Sequence, residues 1–120
     1  MTPEELKART RAFAVRVIRL ADALPRGLAA QVVDRQLLRS ATSVGANYRA
    51  ACRAQSRAET PAKLSIVVEE ADEALYWLEL LRESGMLKPE RLADLIREAD
   101  ELVAITLASR RTAKGALVRQ

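Results

Sequence analysis

The chain contains no histidine and only one cysteine among its 120 residues. The missing histidine removes imidazole acid–base catalysis, Ser-His and Cys-His nucleophile pairs, and His metal ligands. Cys52 has no second cysteine to pair with, so no internal disulfide exists. With no general base in the chain, Cys52 reads as a small packing residue. Aromatic residues are scarce too: one Trp, two Tyr and one Phe. None interleaves with the basic residues, so stacking on unpaired bases has little support. Four Gly, four Pro and few β-branched runs leave little of what sheets use. No apolar run is long enough to span a bilayer, and the acidic start Met1–Glu5 lacks the apolar core of a signal peptide. The expectation is a cytoplasmic protein that does not associate with membranes.

What the chain does hold is Ala, Leu, Arg and Glu, all strong helix formers. Its length suits one domain with one core. The net charge of +4 and pI near 9.7 permit a polyanionic partner without requiring one. The charge is uneven. Residues 26–57 hold six Arg and one Asp, a net +5. Residues 58–87 hold two basic and seven acidic residues, a net −5. Residues 109–120 hold four basic residues and no acid.

Four helices follow from the periodicity. Thr2, Pro3 and Glu5 form a helix start, with Thr as N-cap and Glu three residues later. Leu6, Phe13, Val17, Leu20 and Leu24 then repeat at helical spacing, and Pro25-Arg26-Gly27 turns the chain. The second helix spans Leu28 to Ala54 or Arg57. Thr60 as N-cap and Pro61 open a third, which ends at Ser84 before Gly85. The fourth runs from Pro89 to Ser109 or beyond. Residues 110–120 lose the pattern, and Gly115 argues against continuation, so they read as a basic tail beyond a 1–109 bundle. Four amphipathic helices on short turns predict an all-α, antiparallel up-down-up-down four-helix bundle.

The second helix carries three faces at about 100° per residue. Val33, Leu37, Val44, Tyr48 and Ala51 form the apolar stripe. Gln36, Ser40, Ser43 and Asn47 form a polar stripe beside it. Arg35, Arg39, Arg49, Arg53 and Arg57 cluster on the far side. Small residues surround Gly45, which suits close approach of another helix. In the third helix Leu64, Val67, Val68, Ala71, Leu75 and Leu78 face inward. Ile66, Trp77, Leu80 and Leu81 form a second apolar set, with Glu70 and Glu73 among it, and suggest a subunit contact.

The five arginines could track a phosphate backbone, or pair with the acidic third helix. Arg110, Arg111 and Lys114, with Arg119, have no acidic neighbours in sequence and make the better electrostatic arm. Glu69, Glu70, Asp72, Glu73 and Glu79 invite a metal reading, but di-iron bundles need Glu-x-x-His pairs, which this chain lacks. Glu70 and Glu73 are better placed to meet Arg39, Ser40 or Asn47 in a packed interface. No metal or cofactor is expected, and no residue set looks catalytic.

The sequence resembles a four-helix-bundle family named for proteins encoded in intervening sequences of bacterial 23S ribosomal RNA genes. The resemblance lies in Arg39, Ser40, Ser43 and Asn47 of the second helix, and in Glu73, Trp77 and Leu78 of the third. It covers nearly the whole chain. One departure is Tyr48-Arg49-Ala50-Ala51, where many members carry Ile-Ala-Glu-Gly; the lost acid adds to the positive face. The resemblance implies a left-turning antiparallel bundle that assembles into a homo-oligomer, most often a pentamer with a central channel, and no enzyme activity. A related group of bundles serves diversity-generating retroelements as basic pentamers that bind reverse transcriptase and nucleic acid. The expected function is a non-enzymatic oligomer that binds nucleic acid, RNA first; the rival is a protein-interaction scaffold.

Overall fold

The structure, a computed structural model, describes residues 1–118, which form four helices: α1 (Pro3–Ala21), α2 (Leu28–Cys52), α3 (Glu59–Ser84) and α4 (Pro89–Val118). Among the described residues there is no strand. The helices make an elongated bundle 52 × 22 × 21 Å. Each packs on its predecessor, and α1 also touches α4, though far less than it touches α2. Thr10 of α1 lies against Gly45 of α2, while Ala21 and Leu24 share a groove with Ala30 and Asp34. Early α1 thus meets late α2 and late α1 meets early α2, so the two helices are antiparallel.

Local chemistry sets the helix ends. Thr2 and Glu5 form the expected capping box: the Glu5 amide donates to Thr2 Oγ1 at 3.1 Å and the Thr2 amide to Glu5 Oε2 at 3.0 Å. α1 stops at Ala21 rather than Leu24. The residue before Pro25 is disfavoured in helical geometry, and the chain tightens beforehand through bonds from the Ala23 and Leu24 amides to Leu20 and Ala21 carbonyls. Gly85, at φ 75, closes α3 in the left-handed conformation.

Two boundaries differ from the sequence expectation. α2 ends at Cys52, leaving Arg53 as its C-cap and Arg57 in the connection. α3 starts at Glu59, before Thr60 and Pro61. Its N-cap position is Ala58, which offers no side-chain cap; the turn just ahead is held instead by Ser56 Oγ, which accepts the Glu59 amide at 3.2 Å, and by the Glu59 carboxylate, which accepts the Gln55 amide at 3.3 Å. Thr60 is not the cap; its hydroxyl donates back to the Ser56 carbonyl.

The basic tail is also corrected. α4 continues through residues 110–118, past Gly115. A single glycine costs about 1 kcal/mol in a helix, and Ala113 still packs against the core. Arg119 lies outside the described residues.

The core is one cluster drawn from all four helices, including Phe13, Val17, Leu37, Val44, Val67, Leu78, Leu92 and Leu102. Three buried hydroxyls sit in it, and each donates to a carbonyl of its own helix: Thr10 to Leu6, Ser40 to Gln36 and Thr106 to Leu102. Leu81 belongs here and not to an outer face. It follows Ala74 and Leu78 at i+7 and i+3, the spacing of the inner stripe, and is fully buried.

One polar link closes the ring of helices. Arg9 of α1 holds Glu98 of α4 through two hydrogen bonds, at 2.7 and 2.6 Å, and reaches Glu101 at 3.1 Å. These two carboxylates raise the Arg9 pKa, the Glu98 bond most and burial opposing it. A bidentate, partly buried pair of this kind is worth about 1–3 kcal/mol.

Two predictions follow from the packing. A Cβ on Gly45 would lie 3.3 Å from Thr10 Oγ1, and that hydroxyl is fixed by bonds to Leu6 and Lys7. Gly45→Ala should therefore gain little of the roughly 1 kcal/mol of helix propensity it offers. Gly45→Leu should cost about 1–3 kcal/mol, and adding Thr10→Ala should restore part of the Gly45→Ala gain; denaturant melts of the three single variants and the Thr10→Ala/Gly45→Ala double variant check this. Asp34 has a buried Oδ1 with no hydrogen-bond partner among the described residues. Burial, then the charge of Asp22, raises its pKa, so the folded state pays for its ionised form. Asp34→Asn should raise Tm at pH 7. That gain should shrink as pH falls through the raised folded pKa towards the unfolded value of 3.8, where the native residue is itself neutral.

Candidate nucleic-acid interface

The arginine face of α2 does not act as one surface. Arg39 is committed within the chain. Its guanidinium donates to Glu70 Oε2 at 3.1 Å and to Glu73 Oε1, both on α3. Its Nε points to Gln36 Oε1 at 3.5 Å. Trp77 Nε1 donates to the same Glu73 oxygen at 3.2 Å, and the Trp77 ring meets Tyr76 edge-on, with centroids 5.1 Å apart. Gln36, Arg39, Glu70, Glu73 and Trp77 thus form one polar clamp across α2 and α3. The Arg39 bond, opposed by burial and helped by Trp77, holds the Glu73 carboxyl below the usual range. The pairing expected between Arg39 and the third-helix acids is therefore present.

The other motif residues turn inward on their own helix. Ser40 is buried and bonds to the Gln36 carbonyl, and Asn47 Nδ2 donates to the Ser43 carbonyl at 2.8 Å. Neither reaches Glu70 or Glu73. Their short side chains keep the α2 surface low where neighbouring helices pass.

The remaining arginines separate by position. Arg35 is exposed towards the opposite end of α2, about 21 Å along the axis from Arg49. Arg49 and Arg53 stand near the α2 C-terminus and make no ion pair among the described residues. They face Lys7 and Arg11 of α1 across an open groove of about 590 Å³, whose floor includes Ala8, Gly45 and Ala46. On their other side they line a second groove with Gln55, Glu59 and Lys63. Arg57 lies in the same connection and has partners of its own. Arg110, Arg111 and Lys114 ride on the last turns of α4. Arg9 is level with Glu98 and Glu101, so α4 runs on past the first turn of α1 towards this same end.

Lys7, Arg11 and Lys63 escaped the sequence reading because they lie on helices other than the arginine-bearing α2. Only the antiparallel course brings them to Arg49 and Arg53. The expected interface set is split as well. Ile66 is 43% exposed, Trp77 and Leu80 are half-buried, Glu70 is held by Arg39, and Leu81 is core. Val15, Ile18, Leu28, Val32 and Tyr76 are further exposed apolar side chains. Among the described residues, no group of three or more acids and Cys52 is placed to hold a metal ion, and no helix is long and apolar enough to cross a membrane.

The clamp yields a pH prediction. Glu73 has a folded pKa depressed below its unfolded value of 4.5. Its pairing therefore stabilises the fold above that value and is lost as pH falls through the folded pKa. Arg39→Met should lower Tm at pH 7, and the gap to the native protein should close below pH 4.5. Thermal melts from pH 7 to pH 3 read both.

Comparison with known proteins places the chain. No curated protein matches it. Among solved structures it is similar to a protein of unknown function from the S23 ribosomal protein family of Bacteroides thetaiotaomicron VPI-5482. The two share 35% identity and a TM-score of 0.84, over 92% of this chain and 99% of that one. The family model of the 23S rRNA-intervening sequence protein matches residues 4–108, which take in α1 to α3 and most of α4. With its helical bundle and this match together, the chain belongs to the 23S rRNA-intervening sequence protein family.

Proposed function

We propose that this protein is a non-enzymatic, cytoplasmic homo-oligomer that binds nucleic acid, RNA first, as an accessory part of a nucleoprotein. The observation that carries this reading is the basic end of the bundle. There Lys7, Arg11, Arg49 and Arg53 meet around one groove whose only acid is Glu4, already paired with Lys7 at 3.1 Å. Clustered, solvated cations of this kind attract a phosphate backbone by releasing its counterions. Arg39, by contrast, has spent its charge on Glu70 and Glu73. The family's name points to the ribosomal RNA context of its genes, which favours RNA over other polyanions.

A homo-oligomer is supported by apolar side chains left in water: Val15 and Ile18 one turn apart on α1, Leu28 and Val32 one turn apart on α2, and Ile66 and Tyr76 on α3. The family resemblance implies five subunits. The same apolar residues support a second reading, a protein-interaction scaffold with no nucleic-acid partner.

Light scattering coupled to size exclusion, with and without a short structured RNA, tests the proposal. The expected result is a pentamer-sized particle that gains mass with RNA in low salt and loses it as salt rises, by about three decades in affinity between 50 and 200 mM if six or more phosphates are contacted. An oligomer indifferent to RNA at low salt would move the reading to the scaffold. A monomer would remove the assembly from both.

A further inference from the structure

We infer that the groove between α1 and α2 is the seat of a phosphodiester backbone, gripped from two opposed walls and held without regard to base sequence. The inference rests on the nucleic-acid reading above and gives it a site. One wall is Lys7 and Arg11, one helical turn apart on α1; the other is Arg49 and Arg53, one turn apart on α2. Each pair spans about 6 Å along its helix axis, so four cations flank a channel two turns long or less. The floor is nearly bare, because Ala8 and Ala46 carry only methyl groups and Gly45 none. A strand can therefore lie low between the walls instead of resting on side-chain tips.

The walls are available. Arg11, Arg49 and Arg53 make no ion pair among the described residues, and Arg49 and Arg53 are exposed. Only Lys7 is shared, with Glu4. Arg49 and Arg53 also border the neighbouring groove that Lys63 lines, so they form a ridge over which a backbone can pass from one groove to the next.

The chemistry of the site excludes base reading by stacking. No aromatic ring lines either groove. Phe13 and Tyr48 are buried in the core, and Tyr76 and Trp77 meet edge-on on α3 beside the Arg39 clamp. What remains is charge, which meets phosphates and ignores bases.

Fluorescence anisotropy with labelled uridine and adenosine 12-mers, over a salt series, tests the site. Native protein should bind both oligomers within a few-fold of each other. Arg49→Ala/Arg53→Ala should weaken binding at least about tenfold at low salt and reduce the salt slope by about one per arginine removed. Arg11→Ala, on the opposite wall, should do so in part. Arg35→Ala, at the far end of α2, should change nothing. Light scattering and circular dichroism on each variant keep assembly and folding in view. Unaltered binding by both groove variants, or an equal loss from Arg35→Ala, would overturn the site and leave the wider reading standing. Strong preference for one homopolymer would overturn the indifference to sequence. A changed particle mass in the double variant would make the groove a subunit contact instead. Failure of the native protein to bind either oligomer or a structured RNA would overturn site and function together.

Discussion

The contact between Thr10 and Gly45 sets how closely α1 lies on α2, and much else depends on that distance. α1 has little contact with α4 beyond the Arg9 link to Glu98 and Glu101, so α2 is its main support. With no side chain at residue 45, the two backbones approach near the basic end of the bundle. That approach brings Lys7 and Arg11 opposite Arg49 and Arg53 and keeps the floor between them shallow. Thr10 takes part without leaving a buried hydroxyl unsatisfied, because it bonds to its own helix. One small residue therefore serves both the packing and the surface chemistry above it.

The clamp of Arg39 with Glu70 and Glu73 does different work. Its two acceptors lie nearly one turn apart on α3, so sliding α2 by a turn would break at least one of them. Trp77 adds a donor to Glu73 and places a large ring beside the clamp. The family motif therefore relates α2 to α3 within the chain. That helps explain why Ser40, Ser43 and Asn47 accompany Arg39: all three are short and let the neighbouring helices come close, and Ser40 and Asn47 bond to carbonyls of their own helix.

The uneven charge along the chain takes on a spatial meaning once the helices alternate direction. The late part of α2 and the early parts of α1 and α3 carry cations to one end, and late α4 follows. Of the α3 acids, Glu59 lies at that end beside Lys63, while Glu70 and Glu73 answer Arg39 near the middle of α2. Local neutralisation in mid-bundle and excess charge at one end come from the same sequence through topology alone.

The sequence by itself determined the four helices, most of the inner stripes, the capping box at Thr2 and the partnership of Arg39 with the third-helix acids. These rest on periodicity, local hydrogen bonds and charge sign, which short stretches of chain already contain. It misplaced Leu81, set the N-cap of the third helix at Thr60 and read the basic residues after Ser109 as a tail. In each case a nearby rule was outweighed: by the i+3 and i+7 spacing to Ala74 and Leu78, by the Ser56–Glu59 pair, and by packing of Ala113 beyond the expected end. Only the tertiary structure decided which arginines are consumed and which are joined by Lys7, Arg11 and Lys63. Those partners come from different helices, and nothing in the order of residues along one helix tells which side chains an antiparallel neighbour will bring to it.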